Sequence, residues 1–156
     1  MLAALVLTWP HLVNHFAWQG YRDMVAEVRD GRFEPADKDI IAPLPAYDLA
    51  LDCTVLRDET LLILQFYVTA LQAHQAEVNP FFPSDSPELT RQRETLYALA
   101  SQAITCAPMD GELWLNLAVI ARSLGMDAVQ VEQFLELSHR YAPHEGPVIA
   151  RRDELF

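Results

Sequence analysis

Glycine occurs only five times in 156 residues, against ten prolines. A β-sandwich or barrel draws on more Gly-type hairpin turns than that, so helices joined by Pro-marked loops are the expectation. Basic residues are scarce too: eleven Lys and Arg face twenty-two Asp and Glu, a formal net charge of -11. A phosphate-neutralising surface would have to be built against that field, which argues against nucleic-acid binding. Cysteine is limited to Cys53 and Cys106, without a CxxC pair, so neither a zinc site nor a thioredoxin-like motif is indicated. Two buried thiols is the plain reading, and their spacing leaves open a long-range disulfide in an oxidising compartment. GxSxG, HExxH, the phosphate loop and GxGxxG are all missing. No catalytic residue, cofactor or metal ion is therefore assigned, and the chain is expected not to be an enzyme.

Hydrophobic residues make up 51% and charged residues 21%, the mixture of a folded chain and not of a disordered one. The length suits one domain or a short repeat array. Residues Leu2 to Trp18 are largely apolar, a marginal length for a bilayer span of about twenty residues. Two readings of residues 1–18 stand: a membrane anchor whose start lies upstream of Met1, or a helix buried in the domain. Arg22, Arg29, Arg32 and Lys38 favour a cytoplasmic carboxyl side, although Asp23, Glu27 and Asp30 interleave with them. His11 and His15 share a helical face, but no third ligand accompanies them.

Apolar spacing predicts a helix from Val13 to Val28, ending at Asp30-Gly31. Pro35, Pro43 and Pro45 make a linker of residues 32–45. The organisation expected is thus an apolar helix or anchor over 1–31, the linker, and a helical domain over 46–156. In that domain Tyr47 to Val55 reads as a short helix. After Asp58 a longer one presents Leu61, Leu64, Val68 and Leu71 on one face and Ile63, Tyr67 and Ala70 on another, so it is expected to pack on two sides. Its apolar centre is too short to cross a bilayer, and His74 flanks its polar end. A loop over 79–86 carries Phe81 and Phe82 as expected core plugs. Ser86-Pro87-Glu88 then supplies a cap, a first-turn proline and an acid for a helix running to Cys106.

The carboxyl half contains an internal echo. Ala107-Pro108-Met109-Asp110-Gly111 recurs as Ala142-Pro143-His144-Glu145-Gly146, an offset of 35 residues of the kind that marks helical repeats. Between the copies lie helical stretches Glu112–Leu124 and Asp127–Tyr141, divided by Gly125. Leu113, Leu117, Ile120 and Leu124 line one face of the first, Trp114, Ala118 and Ala121 the next, with Glu112, Asn116 and Ser123 expected to point away. So wide an apolar arc requires neighbours on both sides, as stacked hairpins provide.

Trp114 is followed by Leu117 and Ala118 at three and four residues, Phe134 falls twenty after it and Pro108 six before. In these positions the chain resembles the tetratricopeptide family over residues 87–156. It departs from the family at Ala121, Gln130, Leu137 and the late Pro143. The resemblance implies an all-α fold of antiparallel helix hairpins stacked in a short array, with Trp114 and Phe134 packed inside a hairpin. It also implies a concave groove lined by first-helix side chains, here Glu112, Leu115, Asn116, Val119 and Arg122. Only Asn116 matches a carboxylate clamp. The WLNLA segment and the residues after it are also similar to helical-repeat proteins that accompany bacterial envelope polysaccharide machinery, often on one membrane-spanning helix.

Other residues read as ordinary surface. His139, His144, Ser138, Glu136 and Glu145 fall on a helix end and a turn, not in a cleft. Asp110, Glu112, Asp127, Glu132 and Glu136 form a solvated acidic face, one that would select a basic partner if it binds any. Arg151 and Arg152 suit the negative end of the last helix. The expectation is a non-catalytic scaffold or assembly factor with a protein partner, associated with a bacterial inner membrane through residues 1–18 or otherwise cytoplasmic. Its rivals are an obligate structural subunit and a small helical enzyme without a motif.

Overall fold

A computed structural model describes residues 19, 21–28, 30, 32, 53 and 55–156, with side chains from Thr60 onward in the helix that begins at Val55. The expectations for residues 1–18, including His11 and His15, and for the linker and the 47–54 segment lie outside these residues, Arg32 and Cys53 aside. All regular structure among the described residues is α-helical. Residues 21–28 form α1, followed by α2 (Val55–Gln75), α3 (Pro87–Cys106), α4 (Gly111–Ser123), α5 (Ala128–Tyr141) and α6 (Gly146–Leu155). None of the described helices is long and apolar enough to cross a membrane.

The helix ends follow from side-chain chemistry. Ser86 Oγ accepts from the Leu89 amide at the head of α3, where Pro87 has no donor to lose. Asp110 accepts from the Glu112 and Leu113 amides at 2.9 and 3.0 Å, and Asp127 from the Val129 amide at 2.8 Å. After α4 the chain turns at Gly125 with φ of 71°, a conformation that penalises a side chain. The sequence echo falls on the two joints α3–α4 and α5–α6. Ala107 and Ala142 take nearly the same backbone shape there (φ -135°, ψ 66° and φ -130°, ψ 56°), their amides donating back to Ala103 and Ser138 carbonyls.

Each helix packs on the next from α2 to α5, and α6 returns to lie on α4. The main core joins Leu61 and Leu62 of α2, Leu96, Leu99, Ala100 and Ala103 of α3, and Leu113, Leu117 and Ile120 of α4. A second face of α4, Ala118 and Ala121, meets Val131, Phe134 and Leu135 of α5. A third, Leu115 and Val119, meets Ala142 and Val148. Burial on three sides accounts for the wide apolar arc of this helix. Trp114 lies tilted on Phe134 with ring centroids 5.9 Å apart and donates from Nε1 to the Pro108 carbonyl, so both aromatics serve hairpin packing.

Several expectations need correction. The helix expected after Asp58 begins at Val55. Phe81 and Phe82 are 37% and 51% exposed, so they do not plug the core. Asn116 and Ser123 are buried instead of outward-facing; Ser123 donates its hydroxyl proton to the Ile120 carbonyl. Cys53 and Cys106 are not two thiols but one disulfide, with Cα atoms 5.2 Å apart. Arg152 is buried, donating to Ser138 Oγ and to the Ala142 carbonyl, while Ser138 donates to the Gly111 carbonyl at 2.7 Å. That chain of bonds ties α4, α5 and α6 together at one joint, a stronger reason for an arginine than the helix dipole. Arg93 does the same for the α2–α3 loop, reaching Ser84 Oγ and the Asn79 and Pro80 carbonyls. Burial pushes its guanidinium below the ordinary arginine value.

Candidate functional site: a groove between parallel helices

The contacts of α4 with α6 fix their relative direction. Arg151 meets Glu112 and Asn116, and four residues further along α6 the Leu155 carbonyl accepts from Arg122, so the two helices run side by side in the same sense. Across the groove face of α4 stands α2. Between them is a groove of about 460 Å³. That volume falls within the range of pockets that hold ligands.

One wall is α2, with Leu62, Ile63, Phe66, Tyr67 and Ala70; Val28 of α1 and Phe81 of the α2–α3 loop extend it. The opposite wall is α4, with Glu112, Leu113, Asn116 and Val119, bordered by Arg151. Ala103, Ala107 and Asp110 close the corner where α3 hands over to α4. The lining is thus an apolar trough with its polar groups gathered on the α4 side. There Arg151 donates to Glu112 Oε1 at 2.7 Å and to Asn116 Oδ1 at 3.0 Å. With Oδ1 accepting from Arg151, the remaining hydrogen-bonding capacity of the Asn116 side chain is its amide N–H pair. Asp110 keeps its place at the helix start through the two backbone bonds it accepts, which leaves a fixed negative charge at this corner.

Of the five groove residues expected from sequence, the structure brings together Glu112, Asn116 and Val119 and separates two. Leu115 is fully buried against Ala142 and Val148, because α6 covers the flank of α4 that a lone hairpin would leave open. Arg122 sits beyond the groove, its guanidinium carbon 4.9 Å from the Phe82 ring centre and 4.1 Å from that of Phe156. Burial there pushes its guanidinium below the ordinary value. The α2 wall escapes sequence reasoning, although Ile63, Tyr67 and Ala70 form a recognisable second face; periodicity reads that face as packing, when in part it borders open space. The acidic set is also divided. Asp110 and Asp127 cap helices, Glu112 pairs with Arg151, and Glu132 and Glu136 are exposed on α5. His139 and His144 are exposed and Ser138 is buried, so the structure does not gather these into a constellation. Among the described residues no group of His, Cys, Asp and Glu is arranged to hold a metal ion. No protein-family model, curated protein or solved structure matches the chain.

Proposed function

We propose that the chain is a non-catalytic protein-interaction module, tetratricopeptide-like in its architecture, whose groove takes an apolar segment of a partner protein flanked by basic residues. The observation that carries this reading is the apolar trough between α2 and α4, edged by Asp110 and Glu112. Apolar side chains would supply the binding energy and the acidic corner the orientation, since rim charges contribute more to selectivity and encounter than to affinity. The Asn116 amide would meet a carbonyl of the bound segment. In this proposal the module serves as a scaffold or assembly factor for envelope polysaccharide synthesis or export, held at a bacterial inner membrane by residues 1–18. The support for that setting is the apolar sequence of those residues and the likeness of the WLNLA segment to helical-repeat proteins of the envelope.

The test is selection of peptides from a displayed random library on the full chain, followed by affinities for variants of the two faces. Ala70 is exposed in the groove wall, and Val129 is 62% exposed on α5. Ala70→Glu is expected to weaken the selected peptides at least tenfold, and Val129→Glu to leave them unchanged. Equal effects of the two changes, or peptides without apolar residues, would overturn the reading.

A further inference from the structure

Cys53 lies two residues before α2 begins, and Cys106 is the last residue of α3. Their bond therefore joins the open end of the α2–α3 hairpin, while Arg93 holds the closed end through the loop carbonyls. The Arg93 side chain that holds the closed end is buried, whereas at the open end Cys53 is exposed, within reach of a thiol reagent. Cys106 adjoins Ala107 and is one helical turn from Ala103, two residues of the groove's corner. On the other side of the bond, the first turn of α2 leads into Leu62 and Ile63, the beginning of the apolar wall. The disulfide thus links the corner of the groove to the helix that forms its facing wall.

We propose that the Cys53–Cys106 disulfide is a redox clasp on the groove, which is complete when the pair is oxidised and loses the first turns of its α2 wall when the pair is reduced. Closure transfers two electrons and two protons from the thiols to a disulfide oxidant such as oxidised glutathione, which becomes two thiols. Opening is the reverse, with a dithiol reductant converted to its own disulfide. Most of the main core does not depend on the clasp, because Leu96, Leu99, Leu113, Leu117 and Ile120 come from α3 and α4 and Trp114 packs on α5; Leu61 and Leu62 are the part of it that α2 supplies and that loosens with the first turns. It follows that the module works in an oxidising compartment and that, if anchored, it lies on the oxidising side of the membrane. The regulation rests on the groove being the binding site; the structural switch does not.

Hydrogen exchange read by mass spectrometry tests it on the full chain, in the oxidised form, after dithiothreitol, and as Cys106→Ser, with a library-selected peptide as the binding probe. Amides of residues 55–66 are expected to exchange at least tenfold faster once the bond is lost, those of α4 and α5 less than threefold faster, and peptide affinity to fall at least fivefold. Faster exchange with no change in peptide affinity would keep the clasp and remove the groove as the peptide site. Unchanged exchange at 55–66, loss of helical signal throughout on reduction, or two alkylatable thiols in protein prepared under air would each overturn the clasp.

Discussion

Gly111 and Gly146 hold matching places in the two copies of the echo, yet a methyl group would meet different surroundings at each. At Gly111 an added Cβ would fall 2.4 Å from the Ala142 Cβ and 2.6 Å from its backbone nitrogen, where α5 ends against the start of α4. Backbone cannot swing aside as a flexible side chain can. Gly111→Ala is therefore expected to cost about 1 to 3 kcal/mol, the usual range for overpacking a closed site. At Gly146 nothing lies within 4 Å of the same methyl, so Gly146→Ala is expected to be neutral or to stabilise by up to about 1 kcal/mol through lost freedom of the unfolded chain. Urea denaturation of the two variants checks both signs; a milder effect at Gly111 than at Gly146 would refute the packing described. The echo reveals the repeat but not this asymmetry, because only the first glycine has the end of the following helix lying against it. Partners remote in sequence are equally invisible to a reading of local pattern. Arg151 and Arg152 look like dipole-satisfying cations until Glu112, Asn116 and Ser138 arrive from other helices.

Helices are the legible level, since their ends are set by neighbours in sequence. Ser86-Pro87-Glu88 places the start of α3 and Gly125 the break after α4 where the structure has them, and Asp127, read as the first residue of the next helix, is its cap. What periodicity does not give is which apolar face meets another helix and which borders a groove. Leu115 of α4 falls on the wrong side in a sequence reading for that reason, while Ile63 and Tyr67 of α2 pack against α1 as expected and also border the groove with Ala70. Capping also carries a difference between the two joints. Asp110 accepts two amide bonds at the head of α4, whereas Glu145, its counterpart at α6, makes no side-chain cap bond. Asp110→Ala is expected to cost about 1 kcal/mol and Glu145→Ala less than about 0.5 kcal/mol. Thermal melts of the two variants in one buffer decide it, and comparable losses would mean that the cap geometry at Asp110 contributes little.

At the scale of the whole molecule, charge acts on folding and on binding with opposite sign. The net charge of -11 makes the compact chain repel itself, and the surface ion pairs Arg32–Asp30, Arg91–Glu88 and Arg151–Glu112 offset little of this because exposed pairs are worth so little. Salt shortens the reach of the repulsion from about 20 Å near 20 mM to under 10 Å near 300 mM. The folded form, being smaller, carries more of the repulsion than the unfolded one, so added salt relieves it more. Raising sodium chloride over that range is expected to stabilise the fold by on the order of 1 to 3 kcal/mol in urea titrations. The same salt screens Asp110 and Glu112 from a basic segment in the groove, so peptide affinity is expected to fall while stability rises. A neutral, wholly apolar peptide in the groove would lose no affinity over the series, since its binding gains nothing from the acidic corner. Measuring stability and affinity across one salt series thus separates the two uses of charge. Affinity that rises in step with stability would assign the acidic residues to solubility alone and leave the groove to select its partner by shape and apolar contact.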